Sequence, residues 1–375
     1  MVRSKYFFKD EYSDPDKIYS YEYKSENKSI IVPIFRPWFR FVAKFIPVTV
    51  SANLVSMIGN IGSFLSLVIL TVFGSFQGRE HQWIFLIAAF LIFFYYTLDS
   101  VDGMHARKIG IASPLGEFVD HWFDSFNAFM LPLGLLASYP IISYKWGIFF
   151  ILLIVIGDRI HIKHTLKTNL MYFGPVSTDE GIVFYALFIL SVGLFGYNFW
   201  EHPFPIFGFP TVFLGYFCVV GGALLSIISI MRQDRNIHLK EIFIELLHMA
   251  PVIAWILVFT PVFNNHYVYV ASLVVLGTVG SRFVGDLLRA RLLGLKYPLY
   301  YMDLIVTGIL VACSTLAYVL FPSLPLWIPC VALGLFFLTN LNALIMQFSR
   351  TLKRIKLCLG IGLFDVTLNK DQDKE

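Results

Sequence analysis

Residues 83–125 read WIFLIAAFLIFFYYTLDSVDGMHARKIGIASPLGEFVDHWFDS, an apolar run that ends in a cluster of aspartates. Residues 83–98 carry no charge and approach the ~20 residues that span a bilayer. Asp99, Asp102 and Ala106 follow at i, i+3, i+7, which places them on one helical face. Gly116, Asp120 and Asp124 are spaced i, i+4, i+8 and share another face. Ser113-Pro114 lies between: Ser is a good N-cap and Pro a good first helical residue, so a new helix is expected there. Two antiparallel helices would then present two aspartates each toward the other.

The rest of the chain reads as membrane protein. Of its 375 residues, 57% are hydrophobic and 14% charged, against about 25% charged in an average soluble domain. With 38 Phe, it holds more apolar surface than one soluble core can bury. The formal charge of +4 points neither to nucleic acid nor to a strongly acidic partner. Cys218, Cys313, Cys330 and Cys358 are widely separated and read as packing residues, not a disulfide or zinc framework. The polar first fifty residues lack a short apolar core, so a cleavable signal peptide is not expected.

Ten apolar segments can be marked, near 54–73, 83–98, 118–138, 146–160, 181–198, 211–231, 242–260, 268–287, 301–320 and 326–346. Alternate connections hold 26 and 2 Lys/Arg, with Arg282 inside a span. That asymmetry is what the positive-inside rule requires of an even number of spans with both termini cytosolic. The expected fold is an all-α integral membrane protein of about ten transmembrane helices. Arg36, Arg40 and Lys44 recur every four residues among Trp38, Phe41, Val42 and Phe45, so an interfacial amphipathic helix is expected at about 30–46. The chain divides into a cytosolic N-terminal segment (1–52), a catalytic core (53–200), additional transmembrane helices (201–346) and a polar cytosolic tail (347–375). The aspartates fall at the cytosolic ends of the second and third spans.

A carboxylate inside a membrane costs about 2.5–3.5 kcal/mol on insertion scales, so four together need cations. Only Arg107 and Lys108 lie nearby in sequence. Hard, oxygen-seeking Mg²⁺ or Mn²⁺ suits such a set better than zinc, which favours His or Cys. Two such ions are a common device for phosphoryl displacement. Arg107 offers a planar fork for phosphate oxygens. Gly103, Ala106 and Gly116 leave room for a ligand beside the backbone.

These residues resemble the CDP-alcohol phosphotransferase pattern D-x2-D-G-x2-A-R-x8-G-x3-D-x3-D at every fixed position: Asp99, Asp102, Gly103, Ala106, Arg107, Gly116, Asp120 and Asp124. The resemblance implies transfer of a phosphoalcohol or phosphatidyl group from a CDP-activated donor, release of CMP, and two Mg²⁺ or Mn²⁺ ions on Asp99, Asp102, Asp120 and Asp124. Length and wording are similar to the eukaryotic-type choline/ethanolamine phosphotransferase branch. The similar stretches are DGMHAR, SPLGE, Asp120-His121, YKSENKSIIVPIF (23–35), HTLKTNLMYFGPVSTDEGI (164–182) and SRFVGDLLRARLLGLKYPLYYMDL (281–304). Trp122, where the branch commonly has a small residue, and a longer 174–181 segment depart from it.

The branch implies CDP-choline or CDP-ethanolamine as donor and diacylglycerol as acceptor, with membrane lipid and a homodimer as further partners and no nucleic acid. His121 is the branch-type base; the other reading gives the proton to Asp124. Glu117 and Asp124, at i−4 and i+3 of His121, are both placed to orient it, and Glu117 also falls among the nucleotide residues. Asn53 is either a nucleotide contact or a helix N-cap. His164 and Glu180 line the head group or belong to a plain loop, and Arg282 and Asp286 are expected to pair. The other readings are phosphatidyl transfer from CDP-diacylglycerol to inositol or glycerol phosphate and, more distantly, a cation-coupled transporter. The expected location is a membrane with the site facing the cytosol, in the endoplasmic reticulum or Golgi of a eukaryote or the inner membrane of a bacterium.

Overall fold

A computed structural model describes residues 18–74, 81–138, 144–203, 208, 210–233, 239–298 and 300–366. Parts of the expected terminal segments, 1–17 and 367–375, lie outside the described residues. The chain is helical, with one small addition that the sequence did not suggest. Strand β1 (Ser25–Asn27) pairs in parallel with β2 (Met171–Phe173), Ser25 opposite Met171.

The amphipathic stretch forms α1, Ile31–Phe45. Its Phe39 and Ala43 are buried, and Phe39 meets Tyr96 edge-on at 5.3 Å. Arg36, Arg40 and Lys44 stay exposed beside exposed Trp38, Phe41 and Phe45. That disposition suits a helix lying along a membrane surface. Its free N-terminal amides are met by Glu180. One carboxylate oxygen accepts from Ser29 Oγ at 2.5 Å, Ile30 N at 2.8 Å and Ile31 N at 3.2 Å. The other oxygen accepts from Ser177 N at 2.7 Å, closing the capping box of the next helix.

The ten apolar segments each fall on helix. They are α2 (Ala52–Ile69, continued to Gly74 by a π turn), α3 (Trp83–Ile109), α4 (Pro114–Ser138), α5 (Tyr144–Thr168), α6 (Thr178–Phe195), α7 (Val212–Gln233), α8 and α9 (Leu239–Leu247 and Ala250–Phe263), α10 (His266–Leu293), α11 (Met302–Leu320) and α12 (Trp327–Leu359). A short helix, Tyr197–Glu201, precedes α7. Among the described residues, seven helices are long and apolar enough to cross a membrane: α2, α3, α6, α7, α10, α11 and α12. Helix α4 carries Glu117, Asp120 and Asp124, and α5 carries Asp158, Arg159, Lys163 and Lys167. Helix α9 has 14 residues. Seven spans are therefore supported by length and composition, against the ten expected. Outward faces are apolar: Val306, Ile309, Leu338 and Ile345 are all more than half exposed. Such surfaces call for lipid as solvent.

Helix α10 is the centre. Its apolar window is 83% buried, the largest share of the seven. A side chain at Gly277 would strike the Phe129 ring of α4, and one at Gly280 would strike Val155 of α5. Small residues at these positions let α4 and α5 approach α10 closely.

Two charge readings change. Arg159, one of the 26 Lys/Arg counted with the connections, belongs to α5 and is fully buried. It donates to Glu245 Oε2 at 2.6 Å, the Phe283 carbonyl at 2.6 Å and Tyr297 OH at 2.5 Å. Helix α5 runs past the expected end at 160 to Thr168, and this network satisfies the guanidinium inside the bundle. Arg282 pairs in bidentate fashion with Asp303, at 2.7 and 2.9 Å, and Asp286 takes Arg289 at 3.2 Å. The expected Arg282–Asp286 pair gives way because Asp303 presents both oxygens to one fork. Glu245→Ala leaves the Arg159 charge uncompensated and should lower stability by about 3–5 kcal/mol. Unfolding of the detergent-solubilised protein checks this; an unchanged midpoint would contradict it.

Candidate active site

Helix α3 ends where glycine allows it. Gly110 has φ +74°, and Ile111 N donates to the Ala106 carbonyl at 3.0 Å, closing the last turn. Ser113 then caps α4, its Oγ accepting from Gly116 N at 3.3 Å, with Pro114 as the first helical residue. The tight reversal sets the last turns of α3 against the first turns of α4.

That places the acidic residues together. Ligand atoms of Asp99, Asp102 and Asp120 lie within 4.8 Å of one another, and so do those of Asp120, His121 and Asp124. Asp120 belongs to both groups. Asp102 is buried and accepts from Ser56 Oγ. Asp124 Oδ1 accepts from Tyr95 OH at 2.9 Å. His121 Nδ1 stands 3.5 Å from Asp124 and 3.9 Å from Asp120. Clustered carboxylates repel one another, and in a partly buried site that repulsion is weakly screened. An oxygen-rich set in two adjoining groups fits hard divalent cations.

The cluster stands between two cavities. The first, of about 450 Å³, is the more polar of the two; Asp102, Asp120 and His121 open into it with Gly103, Ala106, Arg107, Gly116 and Asn53. The second, of about 560 Å³, is largely apolar; Asp124 and Tyr95 face it from the cluster side. Arg107 is the one Lys or Arg among the described residues lining the first cavity, and the second has none.

Other predicted residues fall as follows. Ser51, not Asn53, caps α2, its Oγ accepting from Leu54 N at 3.3 Å. Asn53 lines the polar cavity facing Gly116 and donates to the Leu363 carbonyl at 2.8 Å. Glu117 is held by Arg291 of α10 and accepts from Tyr21 OH at 2.5 Å. Burial pushes the Tyr21 phenol up from its ordinary value, so it stays a neutral donor. Glu117 thus steadies the cavity wall, and the carboxylates beside His121 are those of Asp124 and Asp120. Glu180 lines the apolar cavity, but its oxygens cap two helices. His164 is buried in α5 and lines neither cavity. Trp122 turns away from the site: it donates to Gln347 Oε1 at 2.9 Å and packs on Phe348, ring centres 4.7 Å apart.

Ser56 and Tyr95 were not anticipated. Tyr95 stands at i−4 of Asp99, and Ser56 at i+3 of Asn53, so helical spacing held a signal for both.

The fold and site define a membrane-embedded helical protein with an oxygen-rich acidic cluster, able to hold cations, between a more polar and a more apolar cavity. The sequence model of the CDP-alcohol phosphatidyltransferase family matches residues 49–222, a little under half of the chain. Cholinephosphotransferase 1 of Xenopus laevis is 24% identical over 224 residues, 58% of this chain and 54% of the relative. Cholinephosphotransferase 1 of Saccharomyces cerevisiae is 28% identical over 226 residues, 56% of each. A Dictyostelium discoideum protein described as uncharacterized CDP-alcohol phosphatidyltransferase class-I family protein 2 is 24% identical over 322 residues, 82% of this chain and 78% of the relative. The match spans about half the length of these cholinephosphotransferases.

Proposed function

We propose that the protein moves phosphocholine or phosphoethanolamine from CDP-choline or CDP-ethanolamine to the hydroxyl of diacylglycerol, releasing CMP. One observation carries this reading: the aspartate cluster joins a polar cavity holding Arg107 to an apolar cavity without Lys or Arg among its described lining. The polar side suits a nucleotide and its pyrophosphate. The apolar side suits a neutral lipid. Glycerol phosphate would bring an anion there with no cation to pair it, which makes phosphatidyl transfer from CDP-diacylglycerol the second reading. The family match and the two cholinephosphotransferases support the reaction class.

Asp99, Asp102, Asp120 and Asp124 would hold Mg²⁺ or Mn²⁺ as two ions, supplying charge stabilisation to the pyrophosphate and the departing CMP. Arg107 binds pyrophosphate oxygens. His121 accepts the proton of the acceptor hydroxyl, and Asp124, beside its Nδ1, orients the ring and stabilises its cation. The hydroxyl oxygen bonds the β-phosphorus, the bond from that phosphorus to the bridging oxygen breaks, and CMP leaves with the electron pair. Charge asymmetry along the chain supports a cytosolic position for the site.

Purified protein supplied with Mg²⁺ or Mn²⁺ and diacylglycerol is expected to release CMP from CDP-choline or CDP-ethanolamine. Release only from CDP-diacylglycerol, with inositol or glycerol phosphate as acceptor, would overturn the reading.

A further inference from the structure

The apolar cavity contains a polar pair that the reaction above leaves unused. Asp158 and His161 sit one turn apart on α5, and both line the cavity that Asp124 and Tyr95 face from the metal cluster. Neighbouring Arg159 does not neutralise Asp158 by contact: its guanidinium is taken by Glu245, Tyr297 and the Phe283 carbonyl. His161 Nε2 is buried and has no hydrogen-bond partner among the described residues. The imidazole also hydrogen-bonds the Tyr172 backbone, whose carbonyl accepts. With Nδ1 carrying that proton, Nε2 is a bare lone pair.

A buried acceptor without a donor is costly, and so is a carboxylate facing an apolar space without a cation. One kind of group relieves both: a cation that carries N–H donors. The geometry points to Asp158 and His161 as a subsite for a primary ammonium, the head group of the CDP-activated donor. A trimethylammonium has no N–H for Nε2 and is better served by aromatic faces alone. The site therefore favours the ethanolamine-type donor over the choline-type donor, although the two cholinephosphotransferases above are named for choline. This inference rests on the proposed reaction, with the nucleotide in the polar cavity and the head group extending past the cluster.

A site built to hydrogen-bond a donor rejects the analogue lacking it. One hydrogen bond to a charged group corresponds to about ten- to a hundredfold. The test compares kcat/KM for CDP-ethanolamine and CDP-choline, with diacylglycerol and Mg²⁺, in the full-length protein and in Asp158→Asn and His161→Phe. Binding of CDP, which has no head group, is measured alongside. The full-length protein should prefer CDP-ethanolamine by about tenfold or more. Each variant should lose most of that preference while CDP affinity stays within about twofold, because the subsite touches only the head group. Equal use of the two donors, or a preference for CDP-choline, would overturn the inference and leave the proposed reaction standing. So would variants that bind CDP normally and keep the preference. If Asp158→Asn no longer binds CDP, the unmodified protein's preference and His161→Phe decide. CMP release from CDP-diacylglycerol alone would overturn the reaction itself.

Discussion

Asp120→Asn is expected to lower CMP release by about a thousandfold or more, an effect of about 4 kcal/mol on the barrier. Asp120 is chosen because its carboxylate belongs to both ligand groups, with Asp99 and Asp102 on one side and His121 and Asp124 on the other. Asn keeps the shape and removes the charge. It weakens both cation positions at once, where Asp99→Asn would weaken one. The substitution also separates function from structure. In metal-free protein it removes one of several mutually repelling carboxylates, so the unfolding temperature should hold or rise. The stabilisation that Mg²⁺ adds by binding the folded state should shrink. Retained activity, or a fall in metal-free stability with metal stabilisation intact, would mean the carboxylate serves packing alone.

The second large effect is His121→Ala. Positioned general bases contribute about 10²–10⁴-fold, and that loss is expected in kcat with donor binding nearly unchanged. The pH profile gives a readout that a structural role would not move. A base works deprotonated, so the unmodified protein should lose rate as pH falls through the histidine's titration. The variant should lack that acid limb. Activity within a few-fold of the unmodified protein, with nucleotide binding intact, would transfer the proton to Asp124, whose oxygen lies 3.5 Å from Nδ1.

Much of the site was legible because it is local. Asp99 to Asp124 lie within two helices and one reversal, and helical spacing, Gly110, Ser113 and Pro114 suffice to bring them together. The apolar segments were legible for the same reason: hydropathy is a property of consecutive residues. Contacts made across the bundle were not. Glu117 reads as a site residue next to His121 and does line the polar cavity, but its partner Arg291 is far along the chain on α10. Glu180 reads as a head-group or plain-loop residue; it lines the apolar cavity, but its cap on α1, about 150 residues earlier in the chain, was not legible. Arg282 had an acidic neighbour one turn away and took Asp303 instead, because only Asp303 meets the guanidinium with two oxygens. Trp122 looked like a departure within the site; its indole faces α12 and leaves the cluster free. The apolar cavity had no sequence signal at all, since α4, α5, α6 and α7 each contribute only part of its wall.

The most direct test of the central claim follows the attacking oxygen. Diacylglycerol carrying ¹⁸O in its free hydroxyl is supplied with CDP-ethanolamine or CDP-choline and Mg²⁺, and both products are weighed by mass spectrometry. The account predicts phospholipid that retains the label and CMP that carries none. Label in CMP, or CMP formed without labelled phospholipid, would contradict attack by the lipid hydroxyl on the β-phosphorus at the aspartate cluster.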